Sequence, residues 1–119
     1  MAVRPTHFEF YPNDPEATVQ LLTKAFGWQA QKWGDQDYWL LNTGDGPGIN
    51  GAVARSGDEG PQTVVTCEVE DLDAAVEAVK ISGGKLLTDL IEIEDVGRWA
   101  QVEGPGGEVF GLMEPTDQS

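Results

Sequence analysis

Apolar and polar residues alternate with period two over His7-Phe8-Glu9-Phe10, which predicts a strand with the phenylalanines on one face and His7 with Glu9 on the other. A helical pattern follows. Asn13 or Asp14 is placed to cap it, Pro15 suits its first turn, and Glu16 lies at the positive end of the helix dipole. Val19, Leu22 and Phe26 recur at helical spacing, Leu21 and Ala25 widen the stripe, and Gly27 supplies a left-handed exit. Three short strands are then predicted over about 28–32, 37–42 and 48–55, separated by glycine-rich turn formers.

The same grammar returns in the second half. A β-branched run over 64–69 gives way at Asp71 to a helix whose stripe is Leu72, Ala75, Val76 and Val79, closed by Gly83 and Gly84. Strands are expected over 86–89 or 90–94, then 98–103 and 108–114. Asp14 matches Asp71 and Gly27 matches Gly84, each 57 residues on. Further along the best offset is 60, where Trp39 meets Trp99 and Gly51 meets Gly111, the three extra residues falling before Arg98. The chain reads as a duplicated β-α-β-β-β unit of α+β class, with modules over 5–57 and 62–115 joined by a polar linker. At 119 residues and 39% apolar content it is long enough for one domain over 1–119, not for two independent ones.

The net charge of −14, with only seven lysines and arginines, excludes a nucleic-acid partner, because phosphates are met with cations. The acidity reads either as solvated helix faces or as attraction for a cationic ligand. One cysteine, Cys67, excludes an internal disulfide, suits a reducing compartment and sits in an apolar run as a small hydrophobe. No stretch approaches membrane-span or signal-peptide pattern, so a soluble cytoplasmic protein without a membrane partner is expected.

The module occurring twice, FGW at Phe26–Trp28, the Gly83-Gly84 pair and GPGGEVFGLMEP ending at Pro115 together resemble the vicinal oxygen chelate superfamily of glyoxalases, bleomycin-resistance proteins and extradiol dioxygenases. The resemblance covers the chain from about His7 to Pro115. It implies paired modules whose curved mixed sheets form a cleft, and a homodimer. It also implies metal ligands at four equivalent strand positions, which here are His7, Gly51, Val64 and Gly111. Only His7 can coordinate, and one donor does not make a site, so no metal and no other cofactor is expected. Glu9, Thr66 and Glu68 share the His7 face by alternation and leave open a substitute set of different geometry.

Glycines inside strands mark a bend or a close approach by a ligand, and Gly51 and Gly111 are expected to oppose each other across the cleft. Trp39 and Trp99 suit an aromatic wall, and Glu9 and Glu68 add negative charge. The expected ligand is a cationic, partly aromatic small organic molecule, bound by His7, Glu9, Trp39, Gly51, Thr66, Glu68, Trp99 and Gly111. The leading function is metal-independent binding or sequestration. The alternatives are a lyase, isomerase or dioxygenase using an atypical metal set, with His7 and Glu9 as catalytic candidates, and a dimeric interaction module without a ligand. GDGPG at Gly44 and GPGG at Gly104 lack the lysine and helix of a phosphate loop.

Overall fold

A computed structural model describes residues 3–58 and 60–116. Among the described residues the chain forms two compact units, one over His7–Val64 and one over 65–116 that also takes in 3–6. The boundary lies a few residues from the expected module limits.

The first unit holds β1 (Arg4–Tyr11), α1 (Pro15–Phe26), β2 (Gln29–Lys32), β3 (Tyr38–Asn42) and β4 (Asn50–Ala54). Its strand order is β2-β3-β4-β1, with β1 and β4 parallel and the other pairs antiparallel. Asp14 caps α1 by accepting the Ala17 N–H at 3.1 Å, and Gly27 leaves the helix at φ 73°, a left-handed conformation that glycine adopts without a Cβ penalty. One face of the sheet is buried under α1, where Trp39, Leu41 and Val53 pack with Leu22, Phe8, Phe10 and Val19. Phe26, expected in that stripe, is exposed, as is Leu21; the Phe26 ring lies 5.5 Å from Trp28 at the helix exit instead.

The second unit holds β5 (Gln62–Glu68), α2 (Leu72–Ile81), β6 (Lys85–Leu86), β7 (Ile91–Ile93), β8 (Gly97–Glu103) and β9 (Val109–Pro115). Its core is Leu72, Val76, Val69, Ala100, Val102 and Leu112, with Ala75 and Val79 of the expected stripe against it. Asp71 caps α2 through the Ala74 N–H at 3.1 Å. A side chain on Gly84 would come within 2.6 Å of the Glu103 carbonyl, so the second glycine of the pair serves close packing.

Of the two alternatives for the strand after α2, β7 falls inside 90–94, while 86–89 contributes only Leu86, at the end of β6. β6 and β7 pair in succession along β8, Leu86 opposite Val102 and Ile91 opposite Trp99. Four residues (87–90) therefore face two (100–101), which is one edge strand broken by a bulge. The Leu87 N–H donates to the Gln101 carbonyl, and the Thr88 hydroxyl accepts the Gln101 N–H at 3.0 Å, satisfying the backbone that the bulge releases.

Register corrects the internal alignment. Trp39 pairs with Val53 on the buried face of the first unit, and the buried pair in the second is Ala100 with Leu112. The third strand thus repeats 61 residues on and the fourth 59 residues on, so the offset of 60 is the mean of two odd displacements. Trp39 corresponds to Ala100, not Trp99, and Gly51 to Phe110, not Gly111. A slip of one residue moves a side chain to the other face of a sheet.

Candidate functional site

On the face of the first unit turned away from α1, alternation brings together His7 and Glu9 of β1, Ala52 of β4 and Tyr38 of β3. Glu9 is 6% exposed. The Tyr38 hydroxyl donates to Glu9 Oε2 at 3.5 Å, from two strands away in the order β3-β4-β1. The intervening residues, Ala54 opposite Tyr38 and Ala52 opposite Glu9, carry only a methyl group each, and the phenol passes over them. Withdrawing a carboxylate from water costs several kcal/mol, on the order of the penalties measured for buried ions, unless hydrogen bonds and charge compensate. A glutamate kept there is a candidate for recognition.

Its neighbours feel the charge. Burial pushes the Tyr38 phenol well above the ordinary tyrosine range, and the Glu9 charge and hydrogen bond push it further the same way. Burial lowers the His7 pKa below 6.5, with the Glu9 carboxylate opposing that shift, so the imidazole is neutral at pH 7. The set is a neutral imidazole, a buried carboxylate and a protonated phenol. It can accept a hydrogen bond from a cation and can hold a proton at His7.

The second unit repeats the arrangement with different chemistry. Thr66 of β5 is buried, and a Cβ on Gly111 would lie 2.6 Å from its Oγ1 and 3.2 Å from Trp99 Nε1. Here Trp99, Gly111 and Thr66 stand at the places of Tyr38, Ala52 and Glu9. Glu68 lies further along β5, exposed, opposite Met113 of β9.

Two expected site residues lie elsewhere. Trp39 is 8% exposed in the α1 core, its ring 5.4 Å from the Lys32 ammonium. Gly51 faces the same core, where an added Cβ would meet the Phe8 ring at 2.5 Å. The absent side chain of Gly51 makes room for a cross-strand aromatic ring, and is not evidence of an approaching ligand. Tyr38 is the residue that sequence reasoning passed over. Its signal was the alternation in Tyr38-Trp39-Leu40-Leu41, in which packing the tryptophan against α1 turns the tyrosine to the opposite face.

The donor set does not suit a metal. Of the four strand positions expected to ligate, Val64 and Gly111 offer no donor and Gly51 faces the core. On the face of β4 away from α1, Ala52 and Ala54 offer none either, and the Asn50 side-chain oxygen opposite His7 accepts from the Thr43 N–H at 2.9 Å. Among the described residues no three His, Cys, Asp or Glu side chains gather where they could hold a metal ion. A separate recess of about 380 Å³, bounded by Phe10, Pro12, Leu21 and Pro61, is mostly apolar; none of His7, Glu9 and Tyr38 lines it, and the chemistry is not there. Among the described residues no helix is long and apolar enough to cross a membrane.

Comparison with known proteins places the fold. A methylmalonyl-CoA epimerase from Mycobacterium tuberculosis is similar with a TM-score of 0.70 at 18% identity, over 97% of this chain and 89% of that one. A Streptomyces coelicolor methylmalonyl-CoA epimerase in complex with 2-nitronate-propionyl-CoA is similar with a TM-score of 0.67 at 16% identity, over 96% and 98%. A hypothetical protein from Bacillus halodurans C-125 reaches 0.71 at 10% identity, over 100% and 99%. At these identities the likeness concerns the fold alone. No curated protein matches the chain. A family model for the Glyoxalase/Bleomycin resistance protein/Dioxygenase superfamily matches residues 4–112. With that match over most of its length, and an α+β fold of the same kind, the chain belongs to the glyoxalase/bleomycin resistance protein/dioxygenase superfamily.

Proposed function

We infer that this protein binds a small organic cation, partly aromatic, on the His7 and Glu9 face of its first unit, without a metal. The observation that carries the reading is the buried Glu9 carboxylate beside a neutral imidazole and under a phenol hydroxyl. A carboxylate in such surroundings attracts an ammonium group more strongly than one in water, since the local dielectric is lower. The charge of −14 adds a long-range field of the same sign. Tyr38 and Trp33, edge to face at 5.6 Å, supply aromatic surface near the carboxylate. Exposed Leu87, Leu90 and Ile91 along the β6–β7 edge support a homodimer, which sedimentation would read.

The test is calorimetric titration of the protein with benzylamine. Binding by the wild type, and a loss of roughly tenfold or more in Glu9→Gln, is expected for a hydrogen bond to a charged group. Equal affinity in the two proteins would sink the reading. Metal analysis of the purified protein bears on the metal-dependent alternative, which a stoichiometric, tightly held ion would restore.

A further inference from the structure

Tyr38 and Glu9 belong to strands that do not touch. Two strand spacings amount to about 9–10 Å, so a side-chain contact across the intervening strand is possible only where that strand carries small residues. Ala52, fully buried, is Cα partner to both Glu9 and Leu40, and Ala54 is partner to Tyr38. A valine or leucine at position 52 would stand where the phenol passes.

The base of the tyrosine is held more closely than its tip. The Trp33 N–H donates to the Tyr38 carbonyl at 2.8 Å, closing the β2–β3 turn, and the indole meets the Tyr38 ring edge-on. The ring is half-buried, so few rotamers remain to it. The phenol thus reaches the carboxylate at 3.5 Å, the long end of the hydrogen-bond range, from a ring whose base is held.

We propose that Tyr38 is a positioning residue, reaching over Ala52 to hold the Glu9 carboxylate in the orientation that accepts an N–H from a bound ammonium ion. The proposal rests on the binding reading above and sharpens its ligand class to primary or secondary amines. A carboxylate offers about four acceptor sites, which the bond from the phenol does not by itself exhaust. A quaternary ammonium has no N–H and feels only the charge, so orientation matters little to it.

The experiment compares benzylamine with benzyltrimethylammonium on the full chain by calorimetry. Tyr38→Phe is expected to weaken benzylamine roughly five- to tenfold, the worth of one hydrogen bond, and to change benzyltrimethylammonium less than about twofold. Ala52→Leu should reproduce that split by blocking the path. A second readout is independent of ligand: in a Tyr11→Phe background, the ultraviolet titration of Tyr38 should move to lower pH in Glu9→Gln, since the carboxylate raises it. Equal weakening of both ligands in Tyr38→Phe, or no weakening, overturns the positioning role. An unmoved phenol titration overturns the contact itself. If the wild type binds neither probe, or Glu9→Gln binds both as well as the wild type does, the binding reading fails and the positioning role with it. A titration shift in that case would show that the Tyr38–Glu9 contact survives without that use.

Discussion

Each unit carries an aromatic side chain on its third strand, a small residue on its fourth and a polar residue on its first, all on the face away from the helix. In the first unit these are Tyr38, Ala52 and Glu9; in the second, Trp99, Gly111 and Thr66. The backbone device is the same and the chemistry is not. One unit keeps a buried carboxylate with a hydroxyl donor, the other a buried hydroxyl near an indole N–H. A carboxylate is costly to bury and a threonine hydroxyl much less so. The buried carboxylate of the first unit is therefore what the proposed binding rests on, whereas the buried hydroxyl of the second costs little beside an indole.

The helix starts give the largest test of that comparison. Pro15 and Leu72 occupy the first position of α1 and α2, and both are fully buried. Leu72→Ala removes a branched side chain from a closed core and is expected to lower the unfolding free energy by about 2–5 kcal/mol. Pro15→Ala loses a smaller apolar volume and some rigidity of the unfolded chain, for about 1 kcal/mol. Urea unfolding of the two variants measures both. Similar losses would mean that the two helices are seated by equivalent contacts, against the packing described.

The two glycines come next. Gly51→Ala drives a methyl group toward the Phe8 ring in the α1 core, and Gly111→Ala toward Thr66 and Trp99 on the opposite face. Overpacking of this kind costs about 1–3 kcal/mol. Gly51→Ala should therefore destabilise while leaving Trp99 emission as it was, read in a variant retaining only that tryptophan. Gly111→Ala should shift the emission. A Trp99 shift in Gly51→Ala would return both glycines to one face and undo the register correction.

That correction marks where the sequence stopped being legible. The strand-helix-strand order, both aspartate caps, the left-handed Gly27 and the α2 stripe follow from local rules: spacing of apolar residues, side chains that accept backbone N–H groups, and glycine where φ is positive. Faces depend instead on loop lengths, which local rules do not set. Matching the two halves on Trp39 and Trp99 aligned a residue of the α1 core with a half-buried one on the face away from α2, because the true displacements, 61 and 59, differ from 60 by one residue in opposite senses. His7 and Glu9 escaped the error, since their strand repeats at the same 57-residue offset as the helix that follows it. Tyr38 did not, for its role requires knowing that β4 lies between β3 and β1 and that Ala52 is small.

The smallest expected effects come from two ion pairs that the corrected register shows to be mirror images in charge. Arg55 and Asp37 of the first unit stand where Glu114 and Arg98 stand in the second, each pair joining the fourth strand to the start of the third. The sign matters because both pairs lie beside a helix N-terminus. Glu114 Oε1 accepts the Leu72 N–H at 2.8 Å, while Arg55 must turn to the Asn13 carbonyl at 3.2 Å. Hydrogen bonds from Arg98, then the one from Leu72, hold the Glu114 carboxyl below its usual pKa of 4.5. A folded-state pKa below the unfolded one gives stability that is complete above about that pH and lost as pH falls through the lower folded value. Glu114→Gln should accordingly lose less stability than the wild type between pH 4.5 and strong acid, in thermal melts across that range. Asp37→Asn should change stability by less than about 1 kcal/mol at any pH, because its pair is half exposed and screened by salt. An acid slope unchanged by Glu114→Gln would show that reversing the charge at the helix start has no energetic consequence, and the two units would then be equivalent at this joint as well.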